Sequence, residues 1–159
     1  MSFIRKLFGG SGEEASYHTN FKEGDIFYWK KQDKYHVYKL LVIDEKHETF
    51  HVTVFEEEEA LPTLESIGNL KVRVLHTPIS SSGFKNVVLI TNVGVSTEDL
   101  LGYFTYIKHT NNIDEIVKYA KRFYKEGWQY DEQQDLRNAI RKYSLAIDLL
   151  PNFVEALDN

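Results

Sequence analysis

Between residues 25 and 91, short runs of β-branched and aromatic residues alternate with polar turn segments. Runs of this composition and length are typical of β-strands. Polar turns join the first three runs, which predicts an antiparallel meander, and two later runs predict two more strands. The predicted strands are residues 25–31, 35–43, 49–55, 70–75 and 86–91.

The turn between the second and third strands predicts their register. If Asp44 pairs with Thr49, both faces of this hairpin carry apolar side chains, because successive residues of a strand point to opposite faces. One predicted face holds Val37, Leu41, Ile43, Phe50, Val52 and Val54, and the other holds Tyr38, Leu40, Val42 and Phe55. We therefore expect a small antiparallel β barrel or a strongly bent sheet. One face would fill its interior, and the helices, the N-terminal segment or a partner would cover the other.

The stretch after the fifth predicted strand contains helix and strand signals together. Ser96 and Asp99 match a capping box, which predicts a short helix through Leu101 with Gly102 as its stop. Residues 103–108 are rich in strand-forming side chains, so we predict a sixth strand there. A continued helix is the alternative.

From Asn112 onward, apolar residues recur at helical spacing. Asn112 followed by Glu115 predicts a helix start, about two turns before residue 120. Gly127 and Ala139 are small residues placed opposite aromatic ones, which predicts two helices that cross closely. The two apolar stripes are Phe123, Gly127 and Tyr130 on the first helix, and Leu136, Ala139, Tyr143 and Ala146 on the second.

Residues 120–153 resemble one tetratricopeptide repeat, a helical hairpin used for protein recognition. The window aligns with the family pattern without insertion or deletion, and it departs from that pattern at Phe123, Glu126 and Gln134. The residues that the resemblance places in the repeat packing are Phe123, Gly127, Tyr130, Ala139, Tyr143, Ala146 and Pro151. Residues 155–159 resemble the opening of a second repeat, so we expect the chain to be part of a longer array. A terminal half-turn that caps the hairpin is the alternative.

These signals predict an α+β protein in three parts. Residues 1–20 form a basic, amphipathic segment with a Gly/Ser linker, residues 21–111 a β-rich domain, and residues 112–159 the tetratricopeptide-like helices. The first segment has only two basic residues and about two turns, so we expect it to dock on its own domain or to be disordered. A membrane-surface anchor is the alternative.

Composition excludes several classes of function. The 159 residues carry a formal net charge of −5 without a basic stripe, so nucleic acid is a poor partner. No apolar run reaches the ~20 residues that span a bilayer, so we expect no stable membrane association and a cytoplasmic location. The absence of Cys excludes disulfides, thiol nucleophiles and cysteine metal sites.

No residue pattern predicts catalysis, a cofactor or a metal site. The predicted register separates His36 from His51 by about six residues, or roughly 20 Å. The remaining histidines fall in predicted loops or strand ends, so we expect histidines that are solvated or bonded locally. The four glutamates at residues 56–59 predict a solvated turn that protects a sheet edge, with a cation site as the alternative.

The resemblance implies a non-catalytic adaptor that binds a protein or peptide. In tetratricopeptide proteins the first helix of each repeat lines the concave binding face, and the matching residues here are Lys121, Tyr124, Trp128 and Asp131. Packing against the β-rich domain or further repeats is the alternative role for Tyr124 and Trp128. We also expect an exposed apolar edge that would pair two copies in a homodimer, formed by Tyr143, Ile147, Leu150 and Phe153.

Two other classes of function stay open. Residues 22–27 resemble part of small β-rich bacterial toxin-immunity proteins, which would place the acidic run against a basic toxin surface. An enzyme would be indicated by a deep pocket in the β-rich domain lined by His36, His51 or His76.

Overall fold

The computed structural model describes residues 20–152. The strands are β1 (Asp25–Lys31), β2 (Lys34–Asp44), β3 (Thr49–Phe55), β4 (Val72–Ser80) and β5 (Val88–Asn92), and the helices are α1 (Leu101–His109), α2 (Ile113–Glu132) and α3 (Leu136–Leu149). Short 3-10 turns cover Glu45–His47, Ile67–Asn69 and Ser81–Phe84. None of the helices described here is long and apolar enough to cross a membrane. The expected N-terminal segment, apart from Asn20, and the expected start of a second repeat lie outside the described residues.

The strands form one antiparallel sheet in the order β4-β3-β2-β1-β5. Strands β4 and β5 lie at opposite edges, so the described sheet is open, and of the two expected forms the closed barrel is wrong. A barrel requires its edge strands to pair with each other, and β4 and β5 are not neighbours in this sheet. The helices cover one face of the open sheet. The predicted α+β class is confirmed.

A β-bulge in β2 changes which side chains face the helices. The predicted pairing of Asp44 with Thr49 is confirmed, but Leu41 is an extra residue that disturbs the alternation. A bulge opposes two residues to one, so Leu41 and Val42 both point to the helix side. The predicted face assignment is therefore wrong across the bulge, and one face instead carries Tyr38, Leu40, Ile43, Phe50, Val52 and Val54.

The predicted sixth strand is wrong, because residues 103–108 belong to α1. Tyr103, Phe104 and Ile107 of this helix are buried, at the i, i+1 and i+4 spacing of one helical side. Their burial against the sheet and α2 outweighs the strand propensity of the individual residues. Gly102 lies inside the helix and is not its stop.

The predicted capping pair closes a turn in front of α1. Ser96 N donates to Asp99 Oδ2 at 2.7 Å, and Asp99 N donates to Ser96 Oγ at 3.2 Å. Asp99 also accepts a hydrogen bond of 2.7 Å from Lys39 Nζ on β2. This carboxylate therefore ties the turn that precedes α1 to the sheet.

Helices α2 and α3 form the predicted helical hairpin. Asn112 caps α2, since its side chain accepts from Glu115 N at 3.4 Å, as the sequence predicted. The two helices cross closely at Gly127, where an added Cβ would lie 2.7 Å from the Tyr143 ring. Gln134, between the helices, has a φ of +60°, a left-handed conformation that costs energy for a residue other than glycine.

Two apolar cores lie on opposite faces of the sheet. The helix-side core joins Leu41 and Val42 to buried side chains of all three helices. The opposite core is closed by Phe84, whose ring lies 5.2 Å from Phe27 and 5.6 Å from Phe50. The central strands are therefore buried on both sides, which explains why β2 is apolar on both faces.

We expect Gly127→Ala to destabilise the protein by about 1–3 kcal/mol, because the added methyl group would overlap the Tyr143 ring. Helix propensity alone predicts the opposite sign, since Ala is favoured over Gly by about 1 kcal/mol. Gly68→Ala is the matched control, because no atom lies within 4 Å of its added Cβ. Urea unfolding followed by circular dichroism measures both variants. An unchanged midpoint for Gly127→Ala would contradict the close helix crossing.

Candidate functional site

Two histidine side chains pack against each other between the sheet and α1, His51 buried and His76 half-buried. His51 of β3 is 2% exposed, and its Nδ1 lies 2.9 Å from Nε2 of His76 on β4. The two rings stack with centroids 5.1 Å apart, and the rings of Tyr103 and Tyr106 lie 4.8–5.6 Å from them. The expectation of solvated or locally bonded histidines is wrong for this pair.

The length of β4 brings His76 to this position. The strand continues through Pro78, which an edge strand tolerates because its outward backbone nitrogen needs no partner. His76 therefore lies within a strand and not at its end. Gly102 allows α1 to approach, since an added Cβ would lie 2.7 Å from the His76 Cβ.

Burial keeps both imidazoles uncharged near neutral pH. It lowers the pKa of His76 to about 4, and the neighbouring His51 adds to the shift. Burial also lowers the pKa of His51, against the opposing effect of the Asp44 and Glu115 carboxylates. The 2.9 Å contact is then a hydrogen bond between two neutral rings, in which one donates and the other accepts.

A neutral pair of this kind presents one donor and one acceptor at its outer ends. His51 Nε2 and His76 Nδ1 have no hydrogen-bond partner among residues 20–152. Neither is a fully buried unpaired atom, so both nitrogens reach solvent. Whichever tautomer is present, one of these nitrogens carries a proton and the other a lone pair. In the same part of the chain, no three His, Asp or Glu side chains are grouped to hold a metal ion.

A cleft opens beside His51, between the β2–β3 turn and the junction of α1 with α2. Two adjoining cavities of about 420 and 380 Å³ share Asp44 and His47 in their lining. Asp44 Oδ2 lies 2.7 Å from His47 Nδ1. On the helix side of the cleft, the Tyr103 hydroxyl donates to Glu115 Oε2 at 3.1 Å.

The charge states of the cleft follow from these contacts. Burial alone would raise the pKa of Asp44, but hydrogen bonds from the His47 ring and backbone hold it below its usual value. Burial raises the pKa of Tyr103, and the Glu115 carboxylate adds to the shift. At neutral pH Asp44 is therefore ionised and Tyr103 keeps its proton.

His36 and the acidic run lie at the other end of the β2–β3 hairpin. His36 Nδ1 is 3.8 Å from Glu57 Oε1, and its ring stacks on Trp29 at 5.0 Å. Glu57 also contacts Lys34 at 3.2 Å and Arg73 at 3.6 Å, and the hydrogen bond from Lys34 lowers its pKa most. The run follows β3, an interior strand, so the expectation that it protects a sheet edge is wrong.

The residues that the resemblance assigns to partner binding lie along α2. Lys121 and Asp131 are exposed, and Trp128 is 47% exposed. Tyr124 is half-buried, with its ring centroid 5.7 Å from that of Tyr143. This stripe is an aromatic surface with a positive charge at one end and a negative charge at the other.

The residues that the resemblance places in the repeat packing differ in burial. Phe123, Gly127, Ala139, Tyr143 and Ala146 are buried, Tyr130 is half-buried and Pro151 is exposed. The Tyr143 hydroxyl has no hydrogen-bond partner within the described part of the chain, and burial raises its pKa. This hydroxyl has lost its hydration without a replacing hydrogen bond, which is destabilising.

The exposed apolar residues of α3 are not those expected. Tyr143 is buried, Ile147 and Leu150 pack partly against the helix-side core, and Phe153 lies outside the described residues. Leu136 and Ile140 are the large apolar side chains of this helix that face solvent. Tyr143 is therefore not part of an exposed edge, whereas Ile147 and Leu150 keep part of their surface exposed.

Sequence reasoning placed the α2 stripe on one face but missed the His51–His76 pair. The stripe follows from helical spacing alone, whereas the pair depends on the register between β3 and β4. Residues 56–71 connect these strands without a tight turn, so no local signal fixes that register. The fourth predicted strand ended at residue 75. Extending it through Pro78 would have placed His76 within the sheet.

No protein family, no curated protein and no solved structure matches this chain. Its function is therefore argued from the arrangement of its own side chains.

We expect the free energy of unfolding to fall as the pH falls from 6.5 towards 4. Unfolded His76 binds a proton near its ordinary pKa of 6.5, whereas the folded residue binds one only near 4. The unfolded state thus holds more protons in this window, so acid favours unfolding. After discounting for the partial exposure of the ring, we expect His76 to account for about 1 kcal/mol at about pH 5.

Urea titrations at neutral and acid pH, compared between the unsubstituted protein and His76→Gln, measure this effect. Asp44, His47, His51, Tyr103, Tyr106 and Glu115 surround the site and are present in both proteins. The difference between the two proteins isolates His76, and the variant should lose less stability in acid. An NMR titration that places the His76 midpoint near 6.5 would contradict the burial argument.

Proposed function

We propose that the chain is a non-catalytic, cytoplasmic adaptor that binds a protein segment through the outward side of α2. The observation that carries the proposal is Trp128, which is 47% exposed on the same side as Lys121 and Asp131. An indole ring offers a large contact area with few rotatable bonds, and Trp is enriched among the residues that dominate binding energy at interfaces. Covering this ring would remove apolar area from water.

The packing beneath the stripe supports its use as a rigid platform. Gly127 allows α2 to lie directly on the Tyr143 ring, and Tyr124 rests against the same ring. Side chains that are already ordered lose little conformational entropy when a partner binds. The tetratricopeptide resemblance assigns the same face to recognition.

The charges along the stripe define the kind of segment that fits. Lys121 and Asp131 are ten residues apart, which corresponds to about 15 Å along a helix. A segment with an acidic residue near Lys121, an apolar side chain on Trp128 and a basic residue near Asp131 would match both ends. Charge complementarity of this kind sets orientation and specificity more than affinity.

We expect Trp128→Ala to weaken the binding of peptides selected on the full chain by at least about tenfold, because the central anchor is removed. Leu136→Ala is the matched control, since it removes a similarly exposed apolar side chain from α3. Peptides are selected from a random library on the unsubstituted protein and measured by fluorescence anisotropy. Circular dichroism checks that both variants are folded. Peptides that bind Trp128→Ala unchanged, or that are lost with Leu136→Ala instead, would contradict this assignment.

A further inference from the structure

The hydroxyl group of Tyr143 has hydrogen-bonding capacity that the described chain does not use. The residue is 7% exposed, and among residues 20–152 its Oη is the only side-chain nitrogen or oxygen that is fully buried without a hydrogen bond. Buried polar atoms of native proteins nearly always have a partner, because a buried group without one is costly. This hydroxyl group therefore requires an explanation beyond the packing of its ring.

Helix α2 determines what surrounds the hydroxyl group. The Tyr143 ring lies against α2 at Gly127, where an added Cβ would be 2.7 Å from ring atom Cδ1 and 2.8 Å from Cε1. Tyr124 and Asp131 lie about one helical turn before and one turn after Gly127. The Tyr124 ring centroid is 5.7 Å from that of Tyr143. The ring therefore lies beside the α2 stripe that carries Trp128.

The electrostatics of this position favour a positively charged partner. Burial raises the pKa of Tyr143, and the negative charge of Asp131 adds to the shift, so the Asp131 carboxylate acts on the hydroxyl group. Within the described part of the chain no cation forms an ion pair with Asp131. Arg122 of α2 and Lys142 of α3 both pair with Glu126, at 2.8 and 2.6 Å. A partner that brings its own cation would neutralise Asp131.

Three properties of the position select a guanidinium group as this cation. Its planar fork has five N–H donors, so it can bond to a carboxylate and to a hydroxyl oxygen at the same time. Its flat face stacks on aromatic rings, which Tyr124 and Trp128 provide on the same stripe. An ammonium group is more strongly hydrated, so it gains less from leaving water for a buried hydroxyl group.

The α2 neighbours of the hydroxyl group are free to move when a ligand arrives. Asp131 is exposed and Tyr124 is only half-buried. Exposed side chains change rotamer within nanoseconds, so a small displacement of either residue costs little. A guanidinium group that bonds to Asp131 then also reaches the Tyr143 hydroxyl group.

We infer that the partner segment carries an arginine, whose guanidinium group donates hydrogen bonds to the Asp131 carboxylate and to the Tyr143 hydroxyl group. This inference rests on the proposed function, because it specifies the basic residue of the segment that binds the α2 stripe. It gives Tyr143 a second role, which is to select arginine over lysine.

The test uses peptides selected from a random library on the full, unsubstituted chain near neutral pH. We expect arginine to be enriched at one position of the selected sequences. In the tightest-binding peptide, lysine at this position should weaken binding about tenfold, because it lacks the planar fork. Uncharged citrulline should weaken it by about the same factor, because the charge-assisted bond to Asp131 is lost. Fluorescence anisotropy measures each dissociation constant.

Tyr143→Phe separates binding from folding, because the two effects have opposite signs. Removal of a buried, unbonded hydroxyl group should raise the urea midpoint of unfolding. The arginine peptide should nevertheless bind this variant about tenfold more weakly, and lysine and arginine peptides should then differ by less than about threefold. Tyr106→Phe is the matched control, since it removes a hydroxyl group from a half-buried residue of α1 and should leave binding unchanged.

Trp128→Ala distinguishes this inference from the proposed function. Peptides that require Trp128 but lack an enriched arginine, or that bind Tyr143→Phe unchanged, would overturn the arginine assignment and leave the α2 surface standing. Equal binding of the arginine and lysine peptides to the unsubstituted chain would overturn it as well. Recovery of no peptide, or only of peptides indifferent to Trp128→Ala, would overturn the proposed function and this inference together.

Discussion

Helix α1 reaches the sheet only because Gly102 has no side chain. An added Cβ would lie 2.7 Å from the Cβ of His76, so any larger residue would lift the helix. The same approach lets α1 bury Phe104 in the helix-side core, where its ring lies 5.5 Å from that of Phe123 on α2. Helix α1 is thus the layer between the sheet and the helical hairpin. The His51–His76 pair and the adjoining cleft both depend on its position.

The bulge at Leu41 creates part of the apolar surface on which α1 packs. In a regular strand Leu41 and Val42 would face opposite sides, whereas here both are buried on the helix side. Burial of each such side chain contributes about 1.5–3 kcal/mol. The residues on either side of the bulge, Leu40 and Ile43, serve the opposite core. One extra residue therefore lets a single strand support two cores.

The sequence predicted correctly those features that depend on interactions between residues close together in the chain. The pairing of Asp44 with Thr49 follows from a tight turn, and the start of α2 follows from the Asn112 side chain, so both were visible in the sequence. The helical state of residues 103–108 was not, because burial against distant segments overrides their strand propensity. Predicting the α2 stripe required only helical spacing. Predicting the cleft would have required knowing that residues 44–51 and 103–118, about 60 residues apart in sequence, meet in space.

Pro78 limits how the edge strand β4 can pair with a strand of another molecule. Strand β4 is an edge of the described sheet, and Val72, Val74 and Leu75 expose apolar side chains along it. Such an edge is a template on which another chain can add a strand. Proline offers no backbone N–H, so an incoming strand finds no donor at residue 78. Intermolecular pairing on this edge is therefore confined to the portion before Pro78, and proline limits how far an aggregate could extend along β4.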